Sequence, residues 1–451
     1  MKKLVFSLLA IILIVSTLSC GPVNDPATTQ TQGTTTQTDT NSTTHTLTEQ
    51  YGQYLKADAG YNSSPDASDE ILQTLIDGNN RFAVDLYHQF SGKNNGNLFY
   101  SPYSISLALA MTYAGANGQT KEQMAEVLHF MLEDSELHSA FNRMAIELNN
   151  RNSAREPCGV QGVQLHIANS IWGQQGYDFM QAFLDVLAEN YDAGMRLLDY
   201  QSDPEACRQT INDWVSQQTN GKIEDLIPAG GINYLTRLVL TNAIYFKANW
   251  LYPFEEEDTS NNTFYQLDGS SVSIPMMHQT ASLYYKDGDN YRAVRLSYDT
   301  STVSMVVIVP DEGSFEDVEN SLTAESLLNI VQSLNRQKLN LTMPKFGFES
   351  QAGLKETLQD MGMTDAFSGA ADFSKMTDVE SLFIADVLHK AYVSVDENGT
   401  EAAAATAVMM AGSAPNEDNP IDFTIDHPFI FFVMDITGSI LFAGRVMNPA
   451  V

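Results

Sequence analysis

The feature that most constrains the fold is the segment YSISLALAMTYA, residues 103–114, which lies between Ser101-Pro102 and Gly115. Ser101 can cap a helix, Pro102 suits the first helical position, and Gly115 can end the helix. The segment is apolar on nearly every side, so the helix must be buried all round. The rest of the chain therefore has to form one large core around it.

The globular pattern begins near Ser68 and continues to the end, with no second linker and no internal repeat. A second helix is expected from Asp203-Pro204 to about Gly221, with Ile211, Trp214 and Val215 on its packed face. Strands are predicted later in the chain, at residues 238–246, 293–298, 303–309, 339–343, 428–435 and 439–446, the last two forming a terminal hairpin. Helices crowd the first half and strands the second, which favours an α+β fold in one domain over residues 70–451.

The N-terminus has the pattern of an export signal. Lys2 and Lys3 precede an apolar run that is too short to span a bilayer comfortably. Residues 1–19 are therefore predicted to be a signal peptide of the lipoprotein type, with Cys20 as the lipidated first mature residue. A plain secretory signal and an uncleaved anchor are the alternatives. Residues 20–69 are rich in Thr, Gln, Asn and Ser and are expected to be a disordered tether. The protein is then exported, and either lipid-anchored at the cell envelope (outer membrane or cell surface) or secreted.

The net charge of −32, from 56 acidic and 24 basic residues, argues against a nucleic-acid partner, because such a partner needs a basic patch. The motifs of nucleotide-binding loops, metalloproteases and nucleophile elbows are missing from the sequence, so we expect neither an enzyme nor a cofactor or metal. Apart from Cys20 there are two cysteines, Cys158 and Cys207. A disulfide between them and two separate thiols both remain open.

Residues 395–420, VDENGTEAAAATAVMMAGSAPNEDNP, form an unusual segment with no charge between Glu401 and Glu417. As a strand it would present Thr400, Ala402, Ala404 and Thr406 on one face, all small and uncharged. Alanine, however, is a poor strand former and a good helix former. The segment is therefore compatible with an exposed irregular state and with a strand inserted into a sheet. A surface helix or a flexible loop is the simpler interpretation from composition alone.

Several motifs together resemble the serpin family. VDENGTEAAAAT (395–406) is similar to the hinge of its reactive-centre loop, and NLFYSPYSISLALAMTYAGANGQT (97–120) to the segment entering its buried helix. LTNAIYFKANWLYPF (240–254), VLHKAYVSVDE (387–397), HPFIFF (427–432) and LFAGRVMNP (441–449) resemble further family segments in the family's order. The resemblance implies a large central, mostly antiparallel sheet with surrounding helices, further sheets and an exposed reactive-centre loop at about 397–420.

The resemblance also implies a suicide-type protease inhibitor. A protease attacks the loop and forms an acyl-enzyme, the cleaved loop inserts into the central sheet, and the attached protease is distorted before hydrolysis. The resemblance also implies roles for individual residues, according to their positions in the matching segments. Glu397, Gly399 and Thr400 match the hinge, followed by the small residues Ala402, Ala404 and Thr406. The gate cluster beneath the opening sheet matches four residues: Ser101, Ser104, Asn242 and His389. Trp250 matches the tryptophan at the top of the sheet, where Lys345 is expected to form a surface pair with Glu397.

Counting forward from the hinge places the cleaved bond at Ser413-Ala414, whereas counting back from Pro428 points near Glu417. The forward count is preferred because the mechanism fixes the inserted length, and Met409, Met410 and Gly412 are the alternative sites. No Lys or Arg lies between Glu401 and Pro428, so the target is predicted to be an elastase-like or subtilisin-like serine protease, with a papain-like cysteine protease as the second choice. We expect a monomer that meets a membrane only through its lipid anchor. The alternative function is a non-inhibitory, serpin-fold surface binding protein, which bulky or charged residues at the inward hinge positions would have indicated.

Overall fold

The computed structural model describes residues 44–152, 163–378, 382–400 and 419–450. The helices within these ranges are α1 (Asp69–Lys93), α2 (Pro102–Tyr113), α3 (Gly118–Leu128), α4 (Asp134–Asn152), α5 (Gln181–Tyr191), α6 (Pro204–Gln218), α7 (Phe315–Ser321), α8 (Ala324–Ser333) and α9 (Leu354–Asp360). Two extended sheets complete the domain, so the predicted α+β class is confirmed.

Sheet A has eight strands in the order β1-β2-β5-β4-β6-β14-β13-β12. Their bounds are β1 (Thr44–Glu49), β2 (Gly52–Ala57), β4 (Gln164–Gln174), β5 (Met195–Leu198), β6 (Leu238–Asn249), β12 (Phe346–Gly353), β13 (Asp386–Val395) and β14 (Gly399–Thr400). The sheet is mostly antiparallel, and the exceptions are the parallel pairs β4–β5 and β6–β13.

Sheet B follows the order β15-β11-β8-β9-β10-β16-β17-β3, with β7 paired to β8. Its strands are β3 (Leu98–Tyr100), β7 (Ser260–Tyr265), β8 (Ser271–Asp287), β9 (Tyr291–Ser297), β10 (Val303–Pro310), β11 (Asn335–Pro344), β15 (Ile421–Thr424), β16 (Phe429–Asp435) and β17 (Ile440–Val446). The predicted terminal hairpin is present as β16 and β17, and every residue in both strands is buried.

Helix α2 is the buried helix that the sequence predicts. The Ser101 side chain accepts a hydrogen bond from the backbone N–H of Ser104, and Pro102 occupies the first turn. All residues of α2 except Leu107 are buried, because the helix packs against β4 and β6 of sheet A and against β17 of sheet B. Helix α2 thus contacts both sheets, and its capped end lies where they meet.

Helix α6 lies across sheet A, as its two-faced sequence predicts. Trp214, Ile211 and Val215 pack with Trp172 of β4 and with residues of β6 and β13, while the polar face stays in solvent. Cys207, on the same helix, is a buried free thiol, and Cys158 lies outside the described residues. Burial raises the pKa of the Cys207 thiol to about 11, so it stays protonated and unreactive at neutral pH.

The prediction of a disordered tether reaching residue 69 is wrong for residues 44–68. β1 and β2 form a hairpin, and β2 pairs antiparallel with β5 at the edge of sheet A. The hairpin fits closely there, since a Cβ atom on Gly194 would collide with the carbonyl oxygen of Leu55. An ion pair between Lys56 and Asp192 (2.6 Å) and the Tyr54 ring against the Arg196 guanidinium (4.9 Å) hold it in place. These long-range contacts supply the burial that the local composition lacks.

Candidate functional site at the centre of sheet A

The parallel pair β6–β13 lies at the centre of sheet A. It is the place where a further strand would enter the sheet, and we call it the opening. Residues 386–391 of β13 pair directly with residues 239–244 of β6. Beyond that ladder, β14 lies between the two strands and runs antiparallel to each of them. We call β14 the wedge. A chain continuing straight on from Thr400 would separate β6 from β13 and pair antiparallel with both, which gives slightly more stable ladders than the parallel one it replaces.

The two residues of the wedge, Gly399 and Thr400, suit their positions for different reasons. A Cβ atom on Gly399 would collide with the carbonyl oxygen of Ala248, so only glycine lets the chain approach β6 this closely. Thr400 is 2% exposed, and its hydroxyl lies 2.7 Å from the hydroxyl of Tyr298. The Tyr298 ring stacks on Trp250 at 4.6 Å between centroids. The wedge thus begins in a fully buried pocket whose polar groups are hydrogen-bonded.

Trp250 and Glu397 hold the turn that leads into the wedge. The indole N–H of Trp250 donates to the carbonyl oxygen of Asp396 (3.0 Å). Glu397 accepts from the Lys345 ammonium (2.6 Å) and from the Thr259 hydroxyl (2.7 Å). The predicted Lys345–Glu397 pair therefore forms, but it is not a surface pair, because the Glu397 side chain is only 5% exposed. Burial alone would raise the pKa of the Glu397 carboxyl, and the hydrogen bonds from Lys345 and Thr259 outweigh it and lower that pKa.

The gate cluster forms one hydrogen-bonded network across β13, β6 and the start of α2. His389 Nδ1 lies 2.5 Å from the side-chain oxygen Oδ1 of Asn242, and the side-chain amide Nδ2 of Asn242 donates to the Ser104 hydroxyl at 2.7 Å. The Ser101 N–H donates to His389 Nε2 (3.2 Å), and the Ser101 hydroxyl donates to the carbonyl oxygen of Leu441 (2.7 Å). The network therefore ties both sides of the opening to α2 and to sheet B.

Asn169 of β4 completes this network and was missed from the sequence. Its side-chain oxygen Oδ1 accepts from the side-chain amide of Asn242 (2.7 Å) and from the Ser104 hydroxyl (3.2 Å), and its side-chain amide donates to the backbone oxygen of Ser104 (3.0 Å). The signal that could have found it is the Asn-Ser pair within IANSIW, whose other four residues are apolar. An asparagine on a mostly buried strand needs hydrogen-bond partners.

The network also fixes the protonation of His389. Nε2 accepts a backbone N–H, so the proton is on Nδ1 and is donated to Asn242. Burial lowers the pKa of the imidazole to about 3, so His389 is neutral at physiological pH. The His389–Asn242 hydrogen bond joins the two strands that an inserted strand would separate, and opening must break it.

Several predicted site residues lie outside the described residues: Cys20, Ala402, Ala404, Thr406, Ser413 and Ala414. Within the described ranges, no group of three or more acidic, histidine or cysteine side chains could hold a metal ion, and no helix is long and apolar enough to cross a membrane. The site thus consists of a two-residue wedge that enters sheet A beside a central strand pair joined by hydrogen bonds. It defines an α+β protein in which a short strand, β14, lies between two otherwise parallel strands of the main sheet.

The comparisons with known proteins agree with this geometry. The family model described as Serpin (serine protease inhibitor) matches residues 77–449. The chain belongs to the serpin family, and membership supports a protease-inhibitor function.

An uncharacterized serpin-like protein of Thermococcus kodakarensis is 42% identical over 396 residues, covering 86% of this chain and 90% of that protein. The leukocyte elastase inhibitor of Bos taurus is 39% identical over 392 residues, covering 84% of this chain and all of that protein. Among solved structures, the thermophilic serpin tengpin in its native state superposes with a TM-score of 0.75 at 30% identity, covering 86% and 97% of the two chains.

Proposed function

We propose that this protein is a suicide inhibitor that traps a serine protease as a covalent acyl-enzyme. The protease attacks the reactive-centre loop after Ser413, the loop is cut between Ser413 and Ala414, and the new end carries the protease as an ester. The hinge side of the loop then enters sheet A behind the wedge. The observation that carries this proposal is the wedge itself, which lies between β6 and β13 and is antiparallel to both.

The direction of the wedge supports insertion as the source of energy. Each residue that enters exchanges hydrogen bonds to water for ladder bonds, with a net gain of roughly 1 kcal/mol per bond. An inserted strand of about ten residues thus gains on the order of 10 kcal/mol from hydrogen bonds alone, before the apolar side chains are buried. Folded proteins are typically stable by about 5–15 kcal/mol, so the energy is sufficient to distort an attached protease.

The small, uncharged residues at alternate positions of the hinge, Thr400, Ala402, Ala404 and Thr406, support an inhibitor over a non-inhibitory binding protein. The buried environment of Thr400 has room for a small hydroxyl, which hydrogen-bonds to Tyr298. Ala402, Ala404 and Thr406 continue the same alternation in the sequence. The alanine side chains need no hydrogen-bond partner, and Thr406 needs one only for its hydroxyl. A charged residue at such positions would have to be buried without a counter-ion, at a cost of several kcal/mol.

We propose an elastase-like or subtilisin-like target, because the loop has small and apolar residues and no Lys or Arg between Glu401 and Pro428. The name of the bovine relative, leukocyte elastase inhibitor, supports this choice. A papain-like cysteine protease remains the second candidate. We also propose that the protein acts outside the cytoplasm, held by a lipid on Cys20 or secreted, as its N-terminal pattern indicates.

The test is to mix residues 21–451 with pancreatic elastase, subtilisin and trypsin and to analyse the products on denaturing gels and by mass spectrometry. We expect a denaturant-resistant complex with elastase or subtilisin and a released peptide that begins at Ala414. A matched Ser413→Pro variant, which blocks cleavage at that bond, should form no such complex. Complexes with trypsin alone would contradict the target class, and cleavage without any complex would contradict the trap.

A further inference from the structure

The turn that leads into the wedge contains an Asn-Gly pair, Asn398-Gly399, which is a chemically labile sequence. In such a pair the backbone nitrogen of the glycine can attack the side-chain carbon Cγ of the asparagine, because glycine has no Cβ atom to hinder the approach. The chain has four of these pairs, at Asn95-Gly96, Asn117-Gly118, Asn220-Gly221 and Asn398-Gly399. The group that accepts the glycine N–H distinguishes the fourth pair from the others.

The backbone N–H of Gly399 donates to a carboxylate. Asp396 Oδ1 accepts hydrogen bonds from the backbone N–H groups of both Asn398 (2.9 Å) and Gly399 (3.2 Å). Burial raises the pKa of the Asp396 carboxyl above its ordinary value, which makes the carboxylate a stronger base. A base held within hydrogen-bond distance of this nitrogen can remove its proton while the nitrogen attacks.

The glycine N–H groups of two other pairs contact neutral oxygens instead. The Gly96 N–H donates to the side-chain oxygen of Asn94 (2.8 Å). The Gly221 N–H donates to the backbone oxygen of Ser216 (2.8 Å). Neither oxygen is basic enough to remove a proton, so these pairs have no base in position.

The asparagine side chains differ as well. The side-chain amide of Asn117 donates to the Ser374 hydroxyl (3.2 Å), which holds it in place. The Asn398 side chain is partly exposed and makes no hydrogen bond among the described residues. Its Cγ can therefore turn toward the Gly399 nitrogen without breaking a contact.

We propose that Asn398 is a site of self-catalysed deamidation, with Asp396 as the base. Asp396 takes the proton of the Gly399 N–H while that nitrogen forms a bond to Cγ of Asn398. The bond from Cγ to the side-chain nitrogen then breaks, and this nitrogen leaves as ammonia with the proton that Asp396 returns. The product is a cyclic imide. Water, the one co-reactant, adds to either imide carbonyl and opens the ring to aspartate or to isoaspartate.

Isoaspartate changes the path of the chain into the wedge. Its backbone runs through the side-chain carbon, which adds one C–C bond, about 1.5 Å, before Gly399. Gly399 has no room for such a shift, because even a Cβ atom there would collide with the carbonyl oxygen of Ala248. Both products also place a new carboxylate beside Asp396 and Glu397, and like charges repel. The modified hinge is therefore displaced from its place between β6 and β13.

The effect on inhibition rests on the proposed function, whereas the deamidation itself does not. Insertion begins at the wedge, so a molecule with a displaced wedge inserts too slowly to trap the protease and is cleaved as an ordinary substrate. Inhibition is then lost at the rate at which isoaspartate forms. The reaction at Asn398 thus limits how long the inhibitor remains active.

The test of the site is to incubate residues 21–451 in neutral buffer and to follow the peptide that contains Asn398 by mass spectrometry, with isoaspartate labelled by an isoaspartyl methyltransferase. Asn398 should convert faster than Asn95 in the same digest, because Asn95 is exposed but its glycine N–H contacts no carboxylate.

Two variants separate the base from the reacting amide. Asp396→Asn keeps an acceptor oxygen for the two N–H groups but cannot take a proton, so it should slow conversion at Asn398 on the order of 100-fold. Asn398→Gln should prevent the reaction, since glutamine would have to form a larger and less favoured ring. Conversion at Asn398 no faster than at Asn95, or a rate that Asp396→Asn changes by less than about twofold, would overturn the site.

The loss of inhibition is measured on samples of increasing age. The fraction that forms a denaturant-resistant complex with elastase or subtilisin should fall in proportion to the isoaspartate content, and it should stay constant over the same time in Asn398→Gln. A synthetic peptide of residues 400–410 should still be incorporated into sheet A of the aged protein, because the sheet itself is unchanged.

Isoaspartate without a loss of complex, or an aged protein that no longer takes up the peptide, would overturn the link between deamidation of the hinge and loss of inhibition. Fresh protein that forms no complex would instead count against the proposed function, while the mass spectra would still decide the site.

Discussion

His389 provides the sharpest single test of the gate cluster. His389 is 1% exposed, and its imidazole bridges two groups: it donates to the side-chain oxygen Oδ1 of Asn242 and accepts a hydrogen bond from the backbone N–H of Ser101. His389→Ala removes both hydrogen bonds at once. It leaves a buried donor on one side of the resulting space and a buried acceptor on the other.

The size of the effect follows from those two groups. Each buried group left without a partner costs about 1–3 kcal/mol, so the pair costs about 2–6 kcal/mol, with a further loss from the cavity. One of the two lost bonds joins β13 to β6, and a loop inserting between these strands has to break it anyway. The substitution therefore destabilises the closed sheet more than the opened one, and insertion should become faster.

The assay is urea denaturation of the intact protein, together with the rate at which a peptide of residues 400–410 is incorporated. His278→Ala is the matched control. His278 also bonds across neighbouring strands, to Thr342 at 3.1 Å, but in sheet B, where β8 and β11 stay paired. We expect a large loss of stability and faster incorporation for His389→Ala only. Equal effects of the two substitutions, or a loss below about 1 kcal/mol for His389→Ala, would show that the hydrogen bonds of His389 do not hold sheet A closed.

The remaining predictions concern the wedge, the histidines and the N-terminal hairpin. Thr400→Arg should leave loop cleavage intact but abolish the denaturant-resistant complex on gels. The reason is that a guanidinium cannot be buried at this site without a counter-ion. An undiminished complex would contradict the role of the wedge. Burial lowers the pKa of His389 to about 3 and of His138 to about 4. The unfolded chain therefore binds protons below pH 6.5 that the folded chain does not, so the free energy of unfolding should fall from pH 6.5 to 5 by up to about 1.4 kcal/mol per pH unit for each histidine. Urea titrations at each pH check this slope, and it should be shallower in His389→Ala; an unchanged slope would show that the imidazole is not buried neutral. Gly194→Ala should detach the hairpin from the edge of sheet A, lower stability by about 1–3 kcal/mol and make residues 44–57 sensitive to proteolysis; Gly60→Ala, where a Cβ atom meets open space, is the control, and equal behaviour of the two variants would contradict the fit.

The helices and strands with clear local start and stop signals could be predicted from the sequence. Helix α2 has its cap, its proline and a glycine just past its end, and its apolar surface already required burial on all sides. The terminal hairpin was predictable for a similar reason, since two continuous apolar runs flank a short turn. These features depend on residues that are neighbours in sequence, and the tertiary contacts of α2 and of the terminal hairpin agree with them.

The contacts that define the site depend on partners far apart in sequence. Thr400 meets Tyr298 and Asn169 meets Asn242, and no local pattern specifies either pair. The N-terminal hairpin was missed because its Thr- and Gln-rich composition resembles a tether. A signal was present all the same: Gly52 lies between two short alternating segments, which is typical of a hairpin. Its stability comes from β5, more than a hundred residues later, and no composition argument includes that contribution.

If sheet A opens between β6 and β13, the distance between strands on the two sides of that boundary increases, and spin labels can measure it. Spin labels are placed on Gln53→Cys of β2 with Lys390→Cys of β13, and on Gln53→Cys with Lys247→Cys of β6, after the native cysteines are replaced by alanine. Pulsed EPR is recorded before and after cleavage of the loop. The first distance should increase by about 4–5 Å, the width of one strand, while the second stays unchanged. An unchanged first distance after cleavage would show that sheet A does not open between β6 and β13.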